Sequence, residues 1–141
     1  MRGVDAALLI DQLFDAFNRR DPAGVIALCD ERVEFSSVTA EFARRREPYR
    51  GHQGLRQYFA DVAMVWDELL VTAKDVRTRG DAILVVGHVY ARSRQLGIRD
   101  TPAAWIWRLK GELLVEGAVY SGADEALAAL EPSGPRPEMA G

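Results

Sequence analysis

The sequence has only one cysteine, Cys29, and two histidines in 141 residues. A disulfide within the chain needs two cysteines, and one thiol does not by itself form a structural zinc site. The histidines are not accompanied by clustered carboxylates, and the chain has no Gly-rich loop of the kind that cradles phosphates. We therefore expect no metal, no cofactor and a reducing, cytoplasmic location.

Long apolar runs and an excess of positive charge are also missing. The longest apolar stretches fall far below the ~20 residues of a membrane span, and the N-terminus shows no basic segment followed by an apolar core. The net charge of −3 at pH 7 gives no general electrostatic reason to bind nucleic acid or an anionic membrane. The run Arg44-Arg45-Arg46 is interpreted as a solvated loop. We expect neither a nucleic-acid partner nor a membrane.

Apolar residues make up 48% of the chain, which is enough for one core. Their distribution predicts a single domain over residues 1–130 and a disordered, Pro- and Gly-rich tail over 131–141. Apolar spacing predicts helices over 4–17, from Pro22, from Gly51 and over 123–130. Alternation predicts strands over 33–36, 70–77, 82–94 and twice within 101–120, with a loop over 39–50. This order predicts an α+β cone, in which helices gather on one side of a curved antiparallel sheet.

The stretch 101–120 holds two of the three tryptophans and predicts a hairpin. A Gly followed by a polar residue suits a two-residue type II′ turn, here Gly111-Glu112. Counting outward from this turn pairs Trp107 with Glu116. Burying apolar surface stabilises by about 25 cal/mol per Å², so the face with both indoles should point inward. That inward face comprises Trp105, Trp107, Leu109, Leu114, Glu116, Ala118 and Tyr120.

Glu116 is the only carboxylate that this pairing places inside. Desolvation beside the tryptophans would favour its protonated form, which makes Glu116 the candidate general acid or base. Two structural alternatives stay open, a glutamate hydrogen-bonded to a Tyr or Trp donor and one that reaches water at the mouth of the cone. A three-residue loop would shift the pairing by one and send Glu116 to the opposite face from the tryptophans.

The other face of the predicted hairpin carries Ile106, Val115 and Val119 beside Arg108. This face is more apolar than a solvated surface requires. We therefore predict a two-fold homodimer through the outer face of the sheet.

The segments DPAGVIALCDERVEF, YRGHQGLRQYF and AAWIWRLKGELLVEGAVY resemble the nuclear transport factor two-like superfamily and, within it, SnoaL-like proteins. The resemblance covers roughly residues 4–130 and implies a cystatin-like fold. Members of the superfamily include polyketide cyclases, ketosteroid isomerases, limonene epoxide hydrolases and many domains with no assigned reaction. Because one fold hosts all of these, the resemblance alone does not choose an activity.

Matching residues to this superfamily argues against its best-known chemistries. Ketosteroid isomerases carry an aspartate base where this chain has Phe35 and an oxyanion-binding tyrosine where it has Leu13. Limonene epoxide hydrolases use an aspartate where this chain has Ala118, and the adjacent Arg99-Asp100 does not reproduce their Arg and Asp two residues apart. The cyclases commonly place their acid on the last strands, where Glu116 is a near match.

Two functions are therefore predicted. The first is a SnoaL-like domain with a pocket for a small apolar or aromatic molecule, since cones of this superfamily usually leave a cavity that aromatic residues border. The second is a cofactor-independent cyclase, isomerase or hydratase that uses Glu116 as its acid or base. The predicted ligand-binding residues are Phe35, Tyr58, Trp105, Trp107, Ala118 and Tyr120.

Overall fold

A computed structural model describes residues 5–130, apart from the side chains of Val38 and Glu41, so the predicted tail over 131–141 lies outside the described residues. The helices are α1 (Ala6–Asn18), α2 (Pro22–Ile26), α3 (Val38–Phe42), α4 (Gly51–Val65) and α5 (Ala123–Leu130). The strands are β1 (Cys29–Ser36), β2 (Tyr49–Arg50), β3 (Glu68–Arg79), β4 (Ala82–Ser93), β5 (Gly97–Lys110) and β6 (Leu113–Tyr120). None of the helices described has the length and apolar content needed to cross a membrane.

Acidic side chains cap the first two helices. The Asp5 carboxylate accepts a hydrogen bond from the Leu8 backbone N–H at 3.2 Å, and that of Asp21 accepts one from the Gly24 N–H at 3.1 Å. Pro22 occupies the first turn of α2, where a missing N–H costs nothing. These caps set where α1 and α2 begin, and hence which of their faces turns toward the sheet.

The strands form one curved sheet in the order β2-β1-β6-β5-β4-β3. All neighbouring strands are antiparallel except β1 and β6, which are parallel. A mixed α+β fold with a curved sheet and packed helices confirms the predicted fold class. The predicted loop over 39–50 is wrong in detail, because this segment contributes most of α3 and the short strand β2.

Helices α1 and α4 pack on one face of the sheet, which we call the inner face. Alternate residues of β4, including Val85, Val89 and Ala91, pack into this core as predicted. Asn18 ties the end of α1 to the edge strand β3. Its side-chain amide donates to the Val71 carbonyl at 2.9 Å and accepts from the Val71 N–H at 2.8 Å. The helix is therefore fixed across the sheet by hydrogen bonds as well as by apolar contact.

The hairpin between β5 and β6 has the predicted two-residue turn at Gly111-Glu112, with a positive φ of 66° at Gly111. Leu109 pairs with Leu114, as predicted. The register then shifts, because β6 contains one extra residue, Val115, which forms a β-bulge. Beyond the bulge every residue of β6 has changed its partner and its face.

The predicted pairing of Trp107 with Glu116 is therefore wrong. Glu116 lies opposite Arg108, and Trp107 lies opposite Gly117. Both predicted indoles do point inward, since Trp105 is 3% and Trp107 1% exposed. A Cβ atom on Gly117 would sit 2.2 Å from Cζ3 of Trp107, so only glycine leaves room for the indole at this position.

The opposite, outer face of the sheet carries a second apolar cluster. Its members are Ala82, Leu84, Ala104 and Ile106 of the sheet with Ala126 and Leu130 of α5. Helix α5 thus packs on the face away from α1 and α4, although all helices were predicted on one side. Ile106 is 4% exposed and Val119 packs against the inner core. Two of the three apolar residues that motivated the predicted dimer surface are therefore already buried within the chain.

Candidate functional site

Two neighbouring cavities with shared lining residues are among those between the inner face of the sheet and the helices. The deeper one, here the inner chamber, has a volume of about 40 Å³, and the outer one, here the mouth, about 600 Å³. The inner chamber is lined by Phe14, Phe17, Phe35, Ser37, Thr39, Tyr58, Leu69, Val71, Val89, Trp105 and Val119. The mouth shares Ser37, Leu69, Val89 and Val119 with it and adds Ser36, Trp66, Ala91, Arg99, Thr101, Ala103, Tyr120 and Ser121.

Interlocked aromatic rings form much of the wall of the inner chamber. Phe14 lies edge-on to Trp105 with ring centroids 4.8 Å apart, and Phe35 lies edge-on to Tyr58 at 5.1 Å. Edge-to-face pairs of this kind are stabilised by the ring quadrupoles as well as by burial. The close packing fixes the wall in place. It leaves room for the end of a ligand in the inner chamber, while the mouth can hold the body of one.

Tyr58 brings a hydroxyl to this largely apolar wall, which it shares with the hydroxyl side chains of Ser37 and Thr39. Burial raises the pKa of Tyr58 to about 12, because a buried phenolate would lose its hydration, and the two hydroxyl contacts offset this only in part. Thr39 also accepts a hydrogen bond from the Trp66 indole N–H at 3.1 Å. Tyr58 is therefore neutral at physiological pH and acts as a hydrogen-bonding group.

The structure brings together some of the predicted pocket residues and not others. Phe35, Tyr58 and Trp105 line the inner chamber, and Tyr120 lines the mouth. Trp107 is stacked on Phe35 at 5.4 Å within the core and lines neither cavity.

Ala118 lines neither cavity, because beyond the bulge it pairs with Ile106, which belongs to the outer cluster. Tyr120 pairs with Ala104 and packs against the same cluster, and only its position at the end of β6 lets it border the mouth. Burial raises the pKa of the Tyr120 hydroxyl, so it too is neutral at physiological pH.

Glu116, the predicted acid or base, is not in the pocket. Its side chain is 57% exposed on the outer face, and its Oε1 atom lies 3.6 Å from Nε of Arg108. The expected desolvation beside the tryptophans does not occur. The bulge at Val115 is the physical reason, since it turns Glu116 from the inner to the outer face.

Arg99 is a site residue that was not predicted. In the sequence it stands out only beside Asp100, where the spacing differs from the Arg and Asp pair of limonene epoxide hydrolases. With Val38 and Glu41 set aside, it is the one charged side chain of residues 5–130 that lines either cavity. Arg99 pairs with Ala91 and so shares the inner strand face of β5 with Thr101 and Ala103. Its alternation with these inward residues was the signal in the sequence that could have placed it at the mouth.

A buried ion pair beside α4 was also missed. Asp61, which is 2% exposed, accepts hydrogen bonds from Arg45, from the Tyr49 hydroxyl at 2.7 Å and from the Gln57 amide at 2.9 Å. The hydrogen bond from Arg45 is the main reason that the pKa of Asp61 falls to about 2, and burial opposes it. None of these residues lines the two cavities, so the cluster anchors the segment before β2 to α4.

The other reactive side chains lie away from the cavities. Within residues 5–130, no group of three or more His, Cys, Asp or Glu side chains is placed to hold a metal ion. His88 is hydrogen-bonded to the exposed Asp100. Cys29 is buried, and burial raises the pKa of its thiol to about 12, so it is a poor nucleophile.

Comparison with known families gives one match that spans most of the chain. A family model described as the SnoaL-like domain matches residues 10–117. No curated protein matches the chain.

Solved structures share the fold over most of their length. A nuclear transport factor two-like protein of unknown function from Burkholderia pseudomallei is 17% identical, with a TM-score of 0.74 over 88% of this chain and 95% of that one. TerC, co-crystallised with polyporic acid, is 17% identical, with a TM-score of 0.73 over 89% and 96%. A Mycobacterium tuberculosis protein in complex with estradiol-17beta-hemisuccinate is 16% identical, with a TM-score of 0.65 over 84% and 95%. At these identities the likeness shows the fold alone.

Proposed function

The chain belongs to the SnoaL-like domain family, and from that premise we propose that it binds a small, largely apolar or aromatic molecule in the mouth and inner chamber. The observation that carries this proposal is the pair of neighbouring cavities, which share four lining residues. A volume of about 600 Å³ at the mouth falls within the usual range for small-molecule pockets. Two structures of the same fold, with polyporic acid and with estradiol-17beta-hemisuccinate, support the view that this architecture accommodates small molecules.

The lining favours binding over proton transfer. Among the described side chains, those of residues 5–130 other than Val38 and Glu41, neither cavity is lined by Asp, Glu, His, Lys or Cys. General acid–base catalysis needs a titrating group within hydrogen-bond reach of the substrate, and the tyrosines of the lining, Tyr58 and Tyr120, have pKa values raised by burial, away from neutral pH. The alternative function, a cyclase, isomerase or hydratase that uses Glu116, has no support from this geometry because Glu116 lies on the outer face beside Arg108.

A matched pair of tryptophan substitutions tests the proposal. Thr101 lines the mouth and is exposed, whereas Thr72 is exposed on the edge strand β3 and lines neither cavity. A bulky indole in place of Thr101 should fill the mouth without disturbing the core. We therefore expect Thr101→Trp to lose binding of 2-naphthamide, a neutral aromatic probe, and Thr72→Trp to bind it as the wild type does.

Isothermal titration calorimetry measures both variants, and circular dichroism checks that each is folded. Equal binding of 2-naphthamide by wild type and Thr101→Trp would contradict a ligand site in the mouth. Absence of binding by the wild-type chain itself would contradict the proposed function directly.

The homodimer through the outer sheet face and the cytoplasmic location stay predictions. Helix α5 covers part of the proposed dimer surface, so any partner copy has to use the remainder, near His88 and Tyr90 on β4. Sedimentation at micromolar concentration measures the oligomeric state, and a monomer alone would contradict the dimer.

A further inference from the structure

We propose that the ligand is an organic anion, an apolar body that carries a carboxylate or a similar group, and that Arg99 binds this charged group at the mouth. The inference rests on the proposed function, because it needs a ligand in the cavities. Its starting point is the charge of the lining. Of the described side chains that line the two cavities, Arg99 alone is charged, and its charge is positive.

The guanidinium of Arg99 is held by an aromatic ring. Its central carbon lies 5.3 Å from the centroid of Phe42, a cation–π geometry. Phe42 in turn packs edge-on against Trp66, another residue of the mouth, with ring centroids 5.3 Å apart. A cation–π contact uses none of the hydrogen-bond donors of a guanidinium, so the N–H groups of Arg99 stay able to donate. Arg99 is therefore oriented before any ligand arrives.

No protein carboxylate neutralises this arginine within the part of the chain that the structure describes. The ion pairs among the side chains that the structure describes, those of residues 5–130 other than Val38 and Glu41, do not include Arg99. The next residue, Asp100, points to the opposite side of β5, where it is hydrogen-bonded to His88. By contrast, Arg92 on the outer face forms an ion pair, with its Nε atom 3.5 Å from Oε1 of Glu68. The positive charge at the mouth is thus available to an anion.

The surroundings of Arg99 suit a ligand with one charged end. Hydroxyl groups of Ser37, Thr101 and Ser121 also line the mouth and can donate further hydrogen bonds to an anion. Apolar side chains such as Val89 and Val119 continue from the mouth into the inner chamber. A carboxylate at Arg99 would place the apolar body of its ligand against these walls. Hydrogen bonds between charged partners are roughly twice as strong as neutral ones, so the charge should contribute measurably to affinity.

Two probes of nearly the same shape test this inference. At pH 7, 2-naphthoate is an anion, whereas 2-naphthamide is neutral. We expect the wild-type chain to bind the naphthoate about tenfold more tightly than the amide, as one charge-assisted contact provides. Arg99→Gln should weaken binding of the naphthoate about tenfold relative to the amide and so remove this preference. Arg92→Gln, which removes the same charge on the outer face, should keep the preference.

Titration calorimetry measures the affinity of both probes for the wild type, Arg99→Gln and Arg92→Gln. Equal affinity of the wild type for the two probes, or a preference for naphthoate that survives in Arg99→Gln, would overturn the role of Arg99 and leave the apolar binding site standing. Failure of both probes to bind the wild type would overturn the proposed function and the inference with it. Loss of the preference in Arg92→Gln as well would show that general charge, rather than Arg99, attracts the anion.

Discussion

Replacing Asp61 with asparagine tests how the segment before β2 is held against α4. The Asp61 carboxylate is 2% exposed and accepts hydrogen bonds from Arg45, Tyr49 and Gln57. Asparagine has nearly the same shape, but it lacks the negative charge that pairs with Arg45. The substitution therefore removes the electrostatic part of the interaction and little of the packing.

The pKa of Asp61 sets the size of the effect. A folded-state pKa of about 2, against an ordinary value of 3.8, means that folding favours the ionised carboxylate. At about 1.4 kcal/mol per pH unit, this difference corresponds to about 2.5 kcal/mol of stability. Because the folded-state pKa is lowered, the contribution is complete above about pH 4 and is lost as the pH falls toward about 2.

Urea unfolding of the wild type and Asp61→Asn over a pH series measures this contribution. We expect the variant to be less stable by about 2.5 kcal/mol at pH 7, and the difference to close between about pH 4 and pH 2. Asp11→Asn, on the exposed side of α1, is the control and should cost little at any pH. Equal stabilities at pH 7, or a gap that stays constant down to pH 2, would refute the role assigned to the buried ion pair.

Three further substitutions or reactions test other parts of the structure. Gly117→Ala should lower the free energy of unfolding by roughly 1–3 kcal/mol in urea, because the new Cβ would collide with Trp107. Gly122 faces open space and is the control. A cost of Gly117→Ala no larger than that of Gly122→Ala would argue against this packing. Glu116→Gln should leave 2-naphthamide affinity in calorimetry unchanged because the residue is exposed on the outer face, and lost affinity would return it to the site. Burial raises the pKa of the Cys29 thiol to about 12. Cys29 should therefore react with iodoacetamide at pH 8 only when the protein unfolds. Rapid labelling of the native protein would contradict its burial.

Much of the fold follows from periodicity. The helical spacing of α1 and α4 and the two-residue alternation of β4 each identify one buried face, and that face is the observed one. The turn at Gly111-Glu112 was also predictable, because a positive φ favours glycine. These features depend on neighbouring residues alone, and the sequence records them directly.

The candidate site was harder to predict because it depends on one extra residue. Val115 looks like any other strand residue, and nothing in its chemistry marks a bulge. The bulge nevertheless exchanges the faces of Glu116 and Gly117. The inner face therefore carries a glycine where a carboxylate was predicted. In the same way, Asp61 resembles a solvated acid on a helix until tertiary structure brings Arg45 to it from 16 residues away.

A methyl NMR titration with 2-naphthamide tests most directly whether the cavities bind a small apolar molecule. Leu69, Val89 and Val119 line both the inner chamber and the mouth. We expect their methyl signals to shift in a saturable way as the probe is added. Signals of methyl groups that line neither cavity, such as those of Leu84 in the outer cluster, should stay unchanged. Shifts confined to the outer face, or no saturable shift at all, would contradict binding of a small apolar molecule in the cavities.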